Sequence, residues 1–149
     1  MTYWQIASGD GTVDLQDVFL KLNVALIGPG HLGDFFDHRD EYLDLNDGHL
    51  VQRFCEDLKT GDTLILRHVS NPKQKEWEIQ AAGTVVGPYR YEPIFEDVDV
   101  SEWEMQHCRR VAWTTPEQPI RVTGGGAPVR IQKLDEGNPF ISVAEELLS

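Results

Sequence analysis

The order of apolar and polar positions divides the chain into short elements. In "TYWQIAS", Tyr3 and Gln5 alternate with Trp4 and Ile6, a period of two that predicts an opening strand. A Gly-Asp-Gly turn follows at 9–11. Leu15, Val18, Phe19 and Leu22 then fall at i, i+3, i+4 and i+7, the apolar face of a helix, with Asp14 placed to cap it and Asp17 in its first turn. "VALIG" is a short apolar run that predicts a buried strand, and it ends in the glycine-rich loop "GPGHLGD" at 28–34. After the aromatic and acidic "FFDHRDEYLDLND", a second amphipathic helix is predicted over 48–58. Leu50, Val51, Phe54, Cys55 and Leu58 lie inward, Asn46 or Asp47 stands at its start, and Lys59 and Gly61 stand at its end. The remainder reads mainly as strands. "GDTLILRHV" is a turn and a core strand, "SNPKQKE" a hairpin tip, and "WEIQAAGTVVG" the return strand, with Trp77, Ile79 and Ala81 on one face. "YRY" is a further short strand, "EPIFEDVDVSEWEMQ" an acidic excursion, and "HCRRVAW" a strand with Val111 and Trp113 on one face. "TTPEQPIRVTGGGAP" reads as a loop crossing the surface, "VRIQKL" as a last strand and "ISVAEELL" as a terminal helix.

This pattern contains no internal repeat and no regular alternation of strand with helix, which argues against a parallel α/β sheet. The expected class is α+β: a small curved mixed β-sheet or partly closed barrel flanked by helices, in a single domain over 1–149. At 149 residues such a chain buries roughly 70% of its unfolded surface and needs no staples. Cys55 and Cys108 are far apart and show no Cys-x-x-Cys spacing, so neither a disulfide framework nor a structural zinc site is expected. No apolar run is long enough to span a membrane and no signal peptide is visible, so the expected location is the cytoplasm, with no membrane partner.

The net charge of -12 argues against unspecific nucleic-acid binding, where phosphate neutralisation dominates affinity. The charge is uneven. Residues 1–62 carry 12 acids and 4 bases, whereas 63–133 carry 9 of each, including Arg67, Lys73, Lys75, Arg90, Arg109 and Arg110. Catalysis finds no anchor. "GPGHLG" follows a strand but precedes no apolar helix that would offer its N-terminus to a pyrophosphate, and "GGG" at 124–126 lacks the Lys-Ser/Thr of a P-loop and reads as a flexible connection. "DFFDHRDE" is oxygen-rich without the spacing of a calcium loop, and reads as a solvated acidic loop. No nuclease or hydrolase motif is present, and no cofactor or metal is expected.

The aromatic residues are more informative. Trp4, Tyr89, Tyr91 and Trp113 lie on or at the ends of predicted strands, two of them just after the Gly87-Pro88 break, and flat rings can wall a slot for a nucleobase. Taken singly, each tryptophan is better explained as core. The ordered set "YWQIASGDG … DVFLKLNVALIGPGHLGD … LKTGDTLILR … AAGTVVGPYRYEP … HCRRVAW" resembles the EVE-like N-terminal modules of McrB-type restriction systems, in the wider PUA-like group, which also looks related to YTH and SRA-type readers. The resemblance covers about residues 3–115 and leaves 116–149 as a C-terminal extension.

The resemblance implies a small curved sheet with a pocket for a modified nucleobase in DNA or RNA, a non-enzymatic role, and a separate effector protein as a further partner. Matched residue by residue, the pocket would be formed by Trp4, Gly28, Pro29, Gly30, Asp34, Tyr89, Tyr91 and Trp113. The rings would stack, Asp34 or loop amides would read the base edge, and Arg90, Arg109 and Arg110 would contact phosphates. Spacing two puts Tyr89 and Tyr91 on one side and Arg90 on the other. Pro29 stands where this family often has a tryptophan, and the insert after Tyr91 is acidic. A second reading follows from those departures: an acidic protein-interaction module of the same fold that binds no nucleic acid.

Overall fold

The computed structural model describes residues 2–9, 14–97 and 104–149. Most of the Gly-Asp-Gly turn and residues 98–103 of the acidic excursion lie outside the described residues. Strands β1 (Tyr3–Ile6), β2 (Val24–Ile27), β3 (Thr63–Asn71), β4 (Glu76–Val85), β5 (Arg90–Tyr91), β6 (His107–Thr114), β7 (Ile120–Thr123) and β8 (Ile131–Lys133) join in one mixed sheet. Its main order is β2-β6-β4-β3-β1-β8, with β5 beside β6 and β7 beside β4. Among the described residues only β1 and β3 pair in parallel, Trp4 standing opposite Leu64. Helices α1 (Gln16–Leu22), α2 (Arg39–Leu43) and α3 (Gly48–Gln52, continued by a π-helical turn at Arg53–Asp57) lie between those two strands in sequence, and α4 (Pro139–Leu148) closes the chain. The fold is therefore α+β, with the sheet curled into a half-barrel. The curl follows from β6, whose first half pairs with β2 and β5 and whose second half pairs with β4.

Two apolar clusters lie on opposite faces of this sheet. Alternation along β3 assigns Leu64 and Leu66 to the cluster under α1 and α3, with Phe19, Val51 and Phe54, and Ile65 to the cluster under α4, with Phe140 and Ala144. The expectation that Trp77, Ile79 and Ala81 share a face is corrected. Pairing jumps from Leu66 with Ala81 to Arg67 with Ile79, so Gln80 is an extra residue in β4. The bulge reverses the alternation: Trp77 and Ile79 join Ala82 in the α4 cluster, and Ala81 joins the other. The loop expected over 114–128 contains β7, which pairs with Glu76–Ile79 of β4. β8 adds to the edge of β1, and so the segment beyond the resembling region supplies two strands and a helix to the same sheet. Among the described residues no helix is long and apolar enough to cross a membrane.

Candidate functional site

The loop over 28–34 leaves β2 through a cis Gly28–Pro29 peptide and is held by four rings. Pairing of β5 with β6 sets Tyr91 opposite His107, and Tyr89 lies two residues before Tyr91 on the same side. The Tyr91 hydroxyl donates to the Gly30 carbonyl at 2.6 Å. The Tyr89 oxygen accepts the Phe35 N–H at 3.0 Å and lies 2.7 Å from His107 Nδ1. From α2, the Tyr42 hydroxyl donates to the Gly33 carbonyl at 2.6 Å and accepts the Leu32 N–H at 3.1 Å. His107 Nε2 lies 2.9 Å from the Pro29 carbonyl. A carbonyl oxygen only accepts, so Nε2 carries the proton and Nδ1 accepts from the Tyr89 hydroxyl. His107 is fully buried, and burial holds its pKa down at about 4, so this neutral tautomer persists through the neutral range. Burial likewise pushes the Tyr42, Tyr89 and Tyr91 phenols above their ordinary value.

The predicted aromatic pocket is not assembled. Trp4 belongs to the core, its Nε1 donating at 3.0 Å to Asp62 Oδ2, which also accepts the Lys59 N–H at 2.9 Å. Trp113 is half-buried at the far end of β6 and donates Nε1 to the Val24 carbonyl at 2.9 Å. Tyr89 and Tyr91 share a side as expected, but their hydroxyls brace the loop from beneath. Asp34 uses Oδ1 to accept the Phe36 N–H at 2.8 Å, and it lines a surface hollow with Phe36 and Tyr89. Gly30 faces inward, since a Cβ there would fall 2.3 Å from Gln106 Oε1.

The phosphate role is corrected for Arg109, whose position on β6 turns it inward. It is buried and donates to the carbonyls of Gly87, Phe54 and Leu58, the last at 2.6 Å, tying the end of the second helical segment to the turn before β5. Burial lowers its pKa. Arg90 and Arg110 are exposed. The acids of "DFFDHRDE" do not converge. Glu41 pairs with His38 at 2.9 Å, and Arg39 pairs with Glu56 at 2.7 Å. Among the described residues no group of three or more His, Cys, Asp or Glu could hold a metal ion.

Gly28 and Pro29 do line a cavity, and none of the tyrosines is among its lining residues. It measures about 280 Å³ and is bounded by Leu26, Ile27, Ala7, Met105, Asp47 and Arg130. The Arg130 Nη1 donates to the Gly28 carbonyl at 2.6 Å, and its Nη2 lies 3.9 Å from Asp47 Oδ2, so one guanidinium both supports the loop and stands at the cavity. Sequence reasoning missed Ala7, Met105 and Arg130. Arg130 reaches the site because β8 pairs with β1, which sets it beside Ala7 (Ala7 N–H to Arg130 carbonyl, 2.8 Å), and that pairing has no local signal.

These features define a small α+β domain in which a ring-braced loop edges a cavity. The chain belongs to the DUF8426 family, a domain of unknown function, whose model matches residues 4–127. It is also similar to the crystal structure of protein Atu2648 from Agrobacterium tumefaciens, at 13% identity over 98% of this chain and 92% of that one, with a TM-score of 0.44. No curated protein matches the sequence.

Proposed function

We propose that the chain is a non-enzymatic binding module that takes up a modified nucleobase, of DNA or RNA, in the cavity beside Gly28 and Pro29. The observation that carries this reading is the cavity itself. Its volume, about 280 Å³, lies just below the roughly 300–1,000 Å³ range of drug-sized ligand sites and suits a single heterocycle. Apolar side chains can grip a flipped base as aromatic ones do. Here Pro29, Leu26 and Met105 would form the walls in place of the rings expected from the EVE-like resemblance. Arg130 offers donors and Asp47 an acceptor for a base edge. The braced loop supports a preformed site, which lowers the ordering cost of binding. A binding role rather than a catalytic one is supported by the state of the nucleophiles and bases nearby. Both His107 nitrogens are engaged, and burial raises the pKa of the Cys55 and Cys108 thiols, the latter to about 11.

The test is binding of oligonucleotides with and without base modification (5-methylcytosine, 5-hydroxymethylcytosine, N6-methyladenine) at fixed salt. One modified oligonucleotide should bind at least about tenfold tighter than its plain counterpart. Ala7→Leu, which fills the cavity, should abolish the difference while leaving the melting temperature unchanged. Equal, weak binding to all would reject the reading.

One observation favours the second reading, an acidic protein-interaction module. The expected rings form no slot, while Phe36 is 55% exposed beside a shallow hollow that also contains Asp34, Lys59 and Tyr89. Phe36→Ser would then weaken a protein complex, and no oligonucleotide, modified or plain, would bind the chain.

A further inference from the structure

The glycine run at 124–126 is not a flexible connection: each glycine has a distinct setting. The Gly124 N–H donates to the Lys75 carbonyl at 2.8 Å. Gly125 is wedged against the start of α4, where a Cβ would lie 2.8 Å from Pro139 Cγ, and its carbonyl accepts from Gln5 and Asn138. Gly126 lies flush on the Trp77 indole, where a Cβ would come within 1.9 Å of the ring. The run thus forms one wall of a second cavity, about 680 Å³, whose other walls are Val69, Trp77, Pro128, Arg67 and Lys75. It shares no lining residue with the cavity at Gly28–Pro29.

The ionisable lining of this cavity is wholly cationic, in a chain with 25 acids and 13 bases. Arg67 is 6% exposed. Its Nε donates to Gln5 Oε1 at 3.0 Å, and its Nη2 donates to the carbonyls of Ala127 and Val129. Its guanidinium carbon stands 5.0 Å from the centre of the Trp77 ring. Nη1 takes no part in these bonds. Among the described residues no carboxylate forms a salt bridge with Arg67 or Lys75. A buried cation normally has a counter-charge, because desolvation disfavours it otherwise, and burial alone lowers the Arg67 pKa to about 10.

We propose that this cavity binds a small organic anion with an apolar body, its carboxylate, sulfonate or phosphate monoester head pairing with Arg67 and Lys75 and its body resting on Val69, Trp77 and Pro128. The proposal is independent of the nucleobase reading.

The probe is 8-anilinonaphthalene-1-sulfonate, compared with N-phenyl-1-naphthylamine, which has the same rings and no sulfonate. With the full chain at neutral pH, the sulfonate should bind saturably at one site and at least about tenfold tighter than the uncharged analogue. Amide resonances of 124–126 and the Trp77 indole resonance should move together with the fluorescence. Arg67 holds Gln5 and the 127–129 segment, so the discriminating variant is Lys75→Glu at the rim. It should weaken the sulfonate about tenfold and leave both the analogue's affinity and the melting temperature unchanged. Equal affinity for the two probes, insensitivity to Lys75→Glu, or resonance shifts confined elsewhere would overturn the proposal.

Discussion

His107 shows how one residue couples the loop to the sheet. It lies at the start of β6, fully buried, and in the neutral form both ring nitrogens are bonded. Protonation would force the Tyr89 hydroxyl to turn from donor to acceptor and would place a charge in the core, which burial disfavours. The folded pKa of about 4 lies below the unfolded value of 6.5, so the unfolded chain binds more protons between them. Stability from this group is therefore complete above pH 6.5 and declines as pH falls to about 4, by about 3 kcal/mol at most. Glu56, whose pKa the Arg39 pairing holds below 4.5, loses its contribution only at lower pH, so the upper part of the window reports on His107. Urea denaturation at intervals from pH 7.5 to 4.5 should show this fall in the wild type and a flatter profile in His107→Gln.

Among the elements, β4 has the most demanding packing, since it carries β3 on one edge and β6 and β7 in succession on the other. Where β6 joins it, Gly83 faces Trp113, and a Cβ there would lie 2.7 Å from the Ala112 carbonyl oxygen and 3.0 Å from the Trp113 ring. The first contact is backbone in a paired strand and cannot swing away. Gly83→Ala should therefore cost about 1–3 kcal/mol, read as a lower urea midpoint at unchanged m-value, and it should disturb the fluorescence of Trp113. Elements differ in how far the sequence shows them. The helix over 48–58 showed in its spacing, and Leu50, Val51, Phe54, Cys55 and Leu58 are all buried. The Gln80 bulge did not show, because an extra residue in a strand is defined by its partner's register. Trp4 with Asp62, Gly83, Tyr89, Tyr91 and Trp113, which stand out in the sequence as aromatic or turn positions, make the frame's own hydrogen bonds and close approaches. The cavity residues Ala7, Met105 and Arg130 are ordinary in sequence and converge only through pairing between distant strands.

At the scale of the whole molecule, the sheet needs cover on both faces, and the covers come from opposite ends of the chain. α1 and α3 and their connections cover one face, and α4 covers the other, through Phe140 and Ala144 against Ile65, Trp77, Ile79 and Ala82. The match to the family model ends at residue 127, ahead of β8 and α4, yet Phe140 is among the largest fully buried side chains. A chain shortened to 127 would expose that second apolar face and leave β1 as an open edge, a combination that favours aggregation. Asn138 caps α4, accepting the Phe140 N–H at 2.9 Å while its amide donates to the Gly125 carbonyl at 2.9 Å, so α4 also anchors the glycine wall of the second cavity. Phe140→Ala should cost about 3–5 kcal/mol, because the ring is buried among fixed strands that cannot collapse onto the space. Asn138→Ala should cost about 1 kcal/mol. If α4 supports only its own face, the Phe140→Ala protein at temperatures below its melting point should keep the loop over 28–34 native, with unchanged amide exchange at Gly30 and Phe35, while exchange rises at 124–126. Equal loss of protection at both sites would show instead that the two faces unfold as one unit.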